Sequence, residues 1–357
     1  MKRLMLGLLL LPLCGPSAAI AQSINNYFLS ETFTLPDEGG FTALPDGRLL
    51  FIDGADVVAE TAAGSRNFAT IGSLDPSFPL ADDFAPAFVA VSPDGGTLAV
   101  GNGGGPTFVD FQIGLFPVAD FNLGTPTSGS QLAFNHFSAT FLDNDTLVVA
   151  NGNFGSPSQV FALELDGTST LLVDGVGGAS AGIAVDAGGN LFTGNGFADS
   201  DPSTLSMTGD VKGFAAADWQ AALSGGAPVD FENSGELIVS ALSANSLGFD
   251  SAGNLHVGGS NSFGGGDSDF FALASASAVD DALAGLGVVD RLDPLAFRAL
   301  DPDPLADSGS GYRLVFNAVT SELIAASNGM GFVLAVPEPS AAILLVIAAA
   351  AILRRRK

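Results

Sequence analysis

One pattern of apolar and polar positions recurs along the chain: a short apolar run, a polar turn built from Asp, Asn, Pro or Gly, and a second apolar run. It reads FTALPDGRLLFID from Phe41, FVAVSPDGGTLAVGN from Phe88 and ATFLDNDTLVVAN from Ala139. It returns as GIAVDAGGNLFTGN from Gly182, SLGFDSAGNLHVGGSN from Ser246 and YRLVFNAVTSELIAASN from Tyr312. The leucines that open the second runs are Leu49, Leu98, Leu147, Leu191, Leu255 and Leu323, so the intervals are 49, 49, 44, 64 and 68 residues. Runs such as Val89–Val91 and Ile183–Val185 are small or β-branched and suit buried inner strands. The turns supply the Asp, Asn and Gly that tight hairpins require. Further candidate strands follow in several units, at Thr107–Ile113, Gln159–Leu165 and Ser169–Val173. Repeated four-stranded units at this period predict an all-β propeller of about six blades spanning residues 22–335. A β-sandwich explains the even spacing poorly, and solenoid repeats are usually shorter.

The two long intervals contain AAADWQAAL (Ala215–Leu223) and AVDDALAGL (Ala278–Leu286). Both read as short helices with Asp218 and Asp280 near their starts, inserted at blade edges. Alternatively, residues 271–308 hold a degenerate seventh blade. Asn26–Leu35, which precedes the first repeat, is expected to supply the strand that closes the ring. The turns DAGGN-L and DSAGN-L resemble those of NHL-like and six-bladed lactonase-like propellers. That resemblance implies a fold and not an activity.

Composition alters the picture at the two ends. The 357 residues include 38 acidic and 12 basic side chains, a formal charge of −26, with 47% hydrophobic residues and 46 glycines. So much apolar material excludes a disordered acidic chain, and the charge disfavours nucleic acid as a partner. Six of the twelve bases are terminal: Lys2, Arg3, Arg354, Arg355, Arg356 and Lys357. Residues 22–336 therefore hold 37 acids against 6 bases, a charge of −31. At the N-terminus, Lys2-Arg3, the apolar run Leu4–Leu13 and the small residues Ala19 and Ala21 describe a secretory signal peptide cut before Gln22. Cys14 raises a lipoprotein alternative, but Leu13 is bulky where a lipobox wants a small residue. As the only cysteine, it leaves a mature chain without disulfides or thiol chemistry.

At the other end, Val336-Pro337-Glu338-Pro339-Ser340 leads into thirteen unbroken apolar residues, Ala341–Leu353, and then the cationic cluster. A membrane span usually takes about 20 residues, and the cluster would remain cytoplasmic. Pro337-Glu338-Pro339, the apolar helix and the terminal basic cluster resemble the PEP-CTERM sorting signal over residues 336–357. That resemblance implies a Gram-negative host with an exopolysaccharide system. It also implies an inner-membrane-anchored precursor, processing by a membrane-embedded exosortase, and a domain attached or released outside. An ordinary tail anchor is the alternative.

Candidate chemistry in the repeats is sparse. Four residues after the leucine stand Asp53, Asn102, Asn151 and Asn195, with Asn261 and Asn328 in similar places. A ring of such oxygens at one propeller face could hold a hard cation such as Ca²⁺; hairpin preference accounts for the same residues, since most precede Gly. Asp143-Asn144-Asp145 lacks the remainder of an EF-hand, and Gly264–Asp269 is a single copy of a Gly/Asp calcium motif. Asp199-Ser200-Asp201 reads as a solvated loop. His136 and His256 are the only histidines, and no nucleophile, phosphate-loop or zinc motif occurs. His256 alternates with Leu255 and Val257, which turns it to solvent or to a neighbouring blade rather than to a ligand. Trp219 is expected to pack, and the 28 Phe against two Tyr and one Trp suit packing between blades.

Three readings of function follow. The first is an exported, noncatalytic propeller displayed or released at the cell surface, binding a partner or associated with matrix exopolysaccharide. The second is a calcium-dependent hydrolase or lactonase. The third is a passive surface structural protein.

Overall fold

The computed structural model describes residues 23–24, 27–35, 40–80, 86–104, 110–152, 157–177, 182–195, 210–240, 244–259, 270–290, 297–298, 313–327 and 329–335. The segments expected to be a signal peptide and a sorting tail lie outside this set, as do Asn261, Asn328, Gly264–Asp269 and Asp199–Asp201. Among the described residues no helix is long and apolar enough to cross a membrane.

The described strands form six sheets of four or five strands, one per repeat. Their first strands are Phe41–Ala43, Phe88–Val91, Ser138–Phe141, Ile183–Val185, Ser246–Phe249 and Arg313–Asn317. Each first strand touches the next, and Arg313–Asn317 touches Phe41–Ala43, so the six blades close into a ring. The protein is a six-bladed β-propeller. The described residues within 271–308 form no seventh blade: Phe270–Ala274 and Phe297–Arg298 are the third and fourth strands of blade 5. The third strand of blade 2 is Gln112–Pro117, shifted from the Thr107–Ile113 expected.

The six repeat leucines all lie in second strands and are buried, at 1% exposure or less. In blades 1, 2, 4 and 5 one turn precedes that strand. The N–H groups of Gly47, Gly95, Gly189 and Gly253 donate to the carbonyls of Leu44, Ser92, Asp186 and Asp250. These glycines have φ of +84°, +75°, +78° and +81°, a region open to Gly at little cost. The PDG, SPDGG, DAGGN and DSAGN strings thus encode one backbone device.

Apolar burial is divided among the seams between blades. One cluster joins Leu50, Ile52 and Val57 of blade 1 to Val89, Leu98 and Val100 of blade 2. The others join blades 2 and 3 (Ala99, Ile113, Leu147), 3 and 4 (Val148, Leu172, Leu191), 4 and 5 (Phe192, Ile238, Leu255), and 5 and 6 (Leu273, Leu314, Leu334). The sixth joins Ile324 and Val333 of blade 6 to Leu49 and Phe51 of blade 1, together with Phe33 and Leu35 from before the first repeat.

That last seam closes the ring as expected. Tyr27–Thr34 pairs antiparallel with Met330–Ala335 and becomes the fourth strand of blade 6. Arg66 of blade 1 reaches Glu60 of its own blade at 2.9 Å, Glu322 of blade 6 at 2.8 Å and Glu31 of the closing strand at 3.4 Å. Its side chain is 6% exposed and that of Glu60 is fully buried, with the guanidinium 5.4 Å from the Phe33 ring centre. Burial opposes its charge, but the hydrogen bonds and charges of Glu322 and Glu60 outweigh that and raise its pKa. Its backbone is left-handed at φ +53°, a region that residues other than glycine seldom occupy. The Glu60 carboxylate also accepts the N–H groups of Leu49, Gly64 and Arg66, so the ion pair is braced by backbone.

The predicted helices occur as Ala216–Leu223 and Ala276–Leu283, in the connections between third and fourth strands of blades 4 and 5. Each continues into a two-residue strand, Val229–Asp230 or Val289–Asp290, added in parallel to the outer edge of the preceding blade. Pro126–Thr127 of blade 2 does the same to blade 1. The D-x-x-x-N turns hold the helices in place. Asp186 accepts the backbone and side-chain N–H groups of Asn190, whose Oδ1 accepts the N–H of Ala216 at 3.1 Å. Asp250, Asn254 and Ala276 repeat that relay, closing at 3.0 Å. Trp219 packs as expected, fully buried with its indole N–H donating to Gly189 O.

Replacing Arg66 by Met is expected to strand the Glu60 carboxylate without its cation and to cost about 3–5 kcal/mol in denaturant unfolding. Hydrogen exchange in Tyr27–Thr34 should rise first, and an unchanged midpoint would refute this role. Asn190→Ala and Asn254→Ala should each cost about 1–2 kcal/mol, as for lost helix caps, measured by thermal unfolding.

Candidate functional site

The cavity that the ring encloses opens where the first strands begin. It has a volume of about 280 Å³ and is lined by all six blades. Thr42, Ser138, Thr140, Ser246 and Asn245 supply polar groups, while Phe88, Ile183 and Leu247 supply apolar walls. Arg313 is the charged residue of the lining. It starts the first strand of blade 6, and its Nη1 donates to the carbonyls of Pro86 and Ala87 at the entry to blade 2. The guanidinium thus bridges blades 6 and 2 across the edge of blade 1. Ser246 Oγ accepts the N–H of Leu314, tying blade 5 to blade 6 beside it.

Asp53, Asn102, Asn151 and Asn195 do occupy equivalent places. Asp53 ends the second strand of blade 1, and the three Asn directly follow the second strands of blades 2, 3 and 4. Antiparallel pairing puts second-strand ends beside first-strand starts, so all four lie toward the cavity's open face. Their chemistry differs by blade. Asp53 is exposed and opens a two-residue turn whose Gly54 has φ +56°. Asn102 is buried, and its Oδ1 accepts the N–H groups of Gly104 and Gln112 at 2.9 and 2.8 Å. Its Nδ2 donates to Asp110 O and Pro79 O. Asn151 Oδ1 accepts Gln159 N–H at 2.7 Å. Asn195 is also buried and takes part through its backbone, its N–H donating to Asp210 O while its carbonyl accepts from Ala244. In blades 2 and 3 the asparagine therefore clamps the base of a long loop rather than turning a tight hairpin. A cation reaching Asn102 Oδ1 would have to displace one of its two backbone bonds, whereas Asn151 Oδ1 accepts a single N–H and keeps a second lone pair. Among the described residues no group of three or more Asp, Glu, His or Cys is placed to hold a metal.

Both histidines belong to the scaffold. His136 is fully buried at the blade 2–blade 3 seam, edge-on to Phe88 and Phe111. Its Nδ1 lies 2.7 Å from Phe134 O and its Nε2 accepts Gly103 N–H at 3.2 Å. Donor and acceptor together define the neutral tautomer, and burial pushes its pKa down to about 4. A Cβ on Gly101 would meet the His136 ring at 2.6 Å, so glycine is required there. His256 is fully buried within blade 5, 3.3 Å from Asp250 Oδ2. It does not face solvent, and burial lowers its pKa despite the opposing pull of Asp250.

No family model matches the sequence, and no curated protein matches it. Among solved structures, the chain is similar to a gluconolactonase from Xanthomonas campestris, with a TM-score of 0.52 and 12% identity over 90% of this chain and 93% of that one. It is also similar to a chain of the mitotic checkpoint complex, with a TM-score of 0.49 and 12% identity over 93% and 99% of the two chains. A structural genomics protein of unknown function from Bacteroides thetaiotaomicron gives 0.47 and 9% over 86% and 71%. The gluconolactonase likeness is one of fold.

Sequence reasoning did not single out Arg313 and Asn245 as site residues. Aligning the repeats on the entry to the first strand would have exposed both. Arg313 stands where the other blades have Phe41, Phe88, Ser138, Ile183 and Ser246.

His136 is neutral in the fold and titrates near its ordinary value when unfolded. Its contribution is therefore complete above about pH 6.5 and is lost as the pH falls toward about 4, amounting to roughly 3 kcal/mol. Denaturant unfolding of the wild type and of His136→Gln across that interval should show a steeper fall in the wild type. Parallel pH profiles would refute the assignment.

Proposed function

We propose that this chain is an exported, noncatalytic binding propeller, delivered through a PEP-CTERM tail and attached or released outside the cell by an exosortase. The observation that carries binding over catalysis is the makeup of the cavity mouth. It presents hydroxyl, amide and guanidinium groups between apolar walls, while His136 and His256 are consumed by the scaffold. The recess exposes more polar than apolar surface, which suits a polar ligand held by hydrogen bonds. The export reading is supported by the two terminal segments, each combining an apolar run with a basic cluster in the order such signals require. A charge of −31 over residues 22–336 suits a domain that must stay soluble among acidic surface polymers, with divalent ions able to bridge the two.

Mass spectrometry of the protein from its native host should find a mature N-terminus at Gln22 and a C-terminus near Pro337-Glu338-Pro339. An intact Arg354–Lys357 would overturn the processing. Incubation of the purified chain with gluconolactone and Ca²⁺ is expected to leave hydrolysis at the uncatalysed rate, and enzymatic turnover would replace the noncatalytic reading by the lactonase one.

A further inference from the structure

The six first strands share one register, because Ala43, Val91, Phe141, Val185, Phe249 and Phe316 each pair with the repeat leucine of their own blade. Three residues before that partner, at the level of the mouth, stand Gly40, Phe88, Ser138, Gly182, Ser246 and Arg313. One residue before it, and so deeper in the channel, blades 1 and 3 carry Thr42 and Thr140 where the others carry alanine, glycine or valine. Thr42, Ser138 and Thr140 are half-buried residues of the lining, and their hydroxyls are open to water rather than shut away. Ser246 Oγ accepts Leu314 N–H at 3.0 Å, which leaves its own hydrogen to donate. Two neutral carbonyls, Pro86 O and Ala87 O, hold Nη1 of the half-buried Arg313 and fix where its charge stands. Across residues 22–336 acids outnumber bases 37 to 6, yet among the described residues the lining holds a guanidinium and no carboxylate. The mouth thus sets a cation among hydroxyl donors on an otherwise acidic molecule.

We propose that this mouth binds a small organic acid through its carboxylate, with Arg313 as the counter-charge and Ser138 and Ser246 as hydroxyl donors at the same level. A planar guanidinium matches a carboxylate in shape as well as in charge. Thr42 and Thr140, one turn of the pleat deeper, meet hydroxyl or carbonyl groups on the body of the ligand. The volume of about 280 Å³ lies at the small end of ligand pockets. A free sugar acid and the terminal uronate of an acidic polymer share this chemistry. The inference rests on the binding reading above and names its ligand class.

Isothermal calorimetry on the purified full chain, at low ionic strength, compares lactate, glucuronate and an oligoglucuronide with neutral glucose. At least one of the three acids should bind one to one, about tenfold or more tighter than glucose, and its binding should weaken as salt is raised. Arg313→Gln should weaken that binding by about tenfold or more. Ser138→Ala, which breaks no hydrogen bond among the described residues, should weaken it about threefold at an unchanged melting temperature, and it serves if the Arg313 variant misfolds. Binding of the oligomer alone assigns the site to a polymer, and binding of glucuronate or lactate assigns it to a free acid. Glucose bound as tightly as glucuronate would leave a binding mouth but overturn the carboxylate. No heat from any acid, or wild-type affinity in both variants, would overturn it too. An acid bound and then chemically converted would instead overturn the noncatalytic reading and leave the carboxylate site standing.

Discussion

A blade of this protein is apolar on both faces, and its second strand is buried almost throughout, as across Leu49–Ile52, Thr146–Ala150 and Leu191–Gly194. No single sheet can satisfy itself, so each face must find a neighbour. Six sheets arranged radially meet that demand only if the last meets the first. The six apolar clusters, one per seam, are the physical expression of the constraint. Stability in such a ring is shared among joints, and closure decides whether two of its faces are buried or wet.

The closing joint is accordingly the most elaborate. It combines strand pairing between Tyr27–Thr34 and Met330–Ala335, stacked and edge-on Phe33, Phe51 and Phe68, and the Arg66 cation shared by three carboxylates from two blades. Elsewhere the seams rely on apolar packing with a few polar links. Between blades 2 and 3, Asn144 Oδ1 accepts Asp94 N–H and Gly103 N–H meets His136. Buried charge appears where the two distant parts of the chain must find each other in register, a use of ion pairs for specificity more than for net energy.

The repeat was legible because its physical causes are local. The leucine that opens each second strand and the glycine that turns into it are dictated within about a dozen residues, and the structure uses both alike in most blades. Ring closure by Asn26–Leu35 was legible for the opposite reason: an apolar strand preceded the first repeat with nothing local to pair with. The parallel edge strands were not, since Val229–Asp230 and Val289–Asp290 are too short to show periodicity. Asn102 and Asn151 were recognised as special through their spacing, but the sequence cannot show that their partners are the far ends of long loops. Asn245 was passed over because the burial of an amide is invisible in the sequence, and strand alternation left His256 between solvent and a neighbouring blade, where the structure shows it fully buried beside Asp250 of its own blade.

Strand direction in blade 6 has a geometric result. Arg313, at the cavity mouth, is paired with Ala326, whereas Ala335 is paired with Glu322 and Phe28 at the other end of the same sheet. The two ends of the folded domain therefore leave side by side, and from the pole opposite the opening. A domain held by that end would stand like a cup on its stem, its rim turned away from whatever surface it is fixed to and toward the surrounding medium.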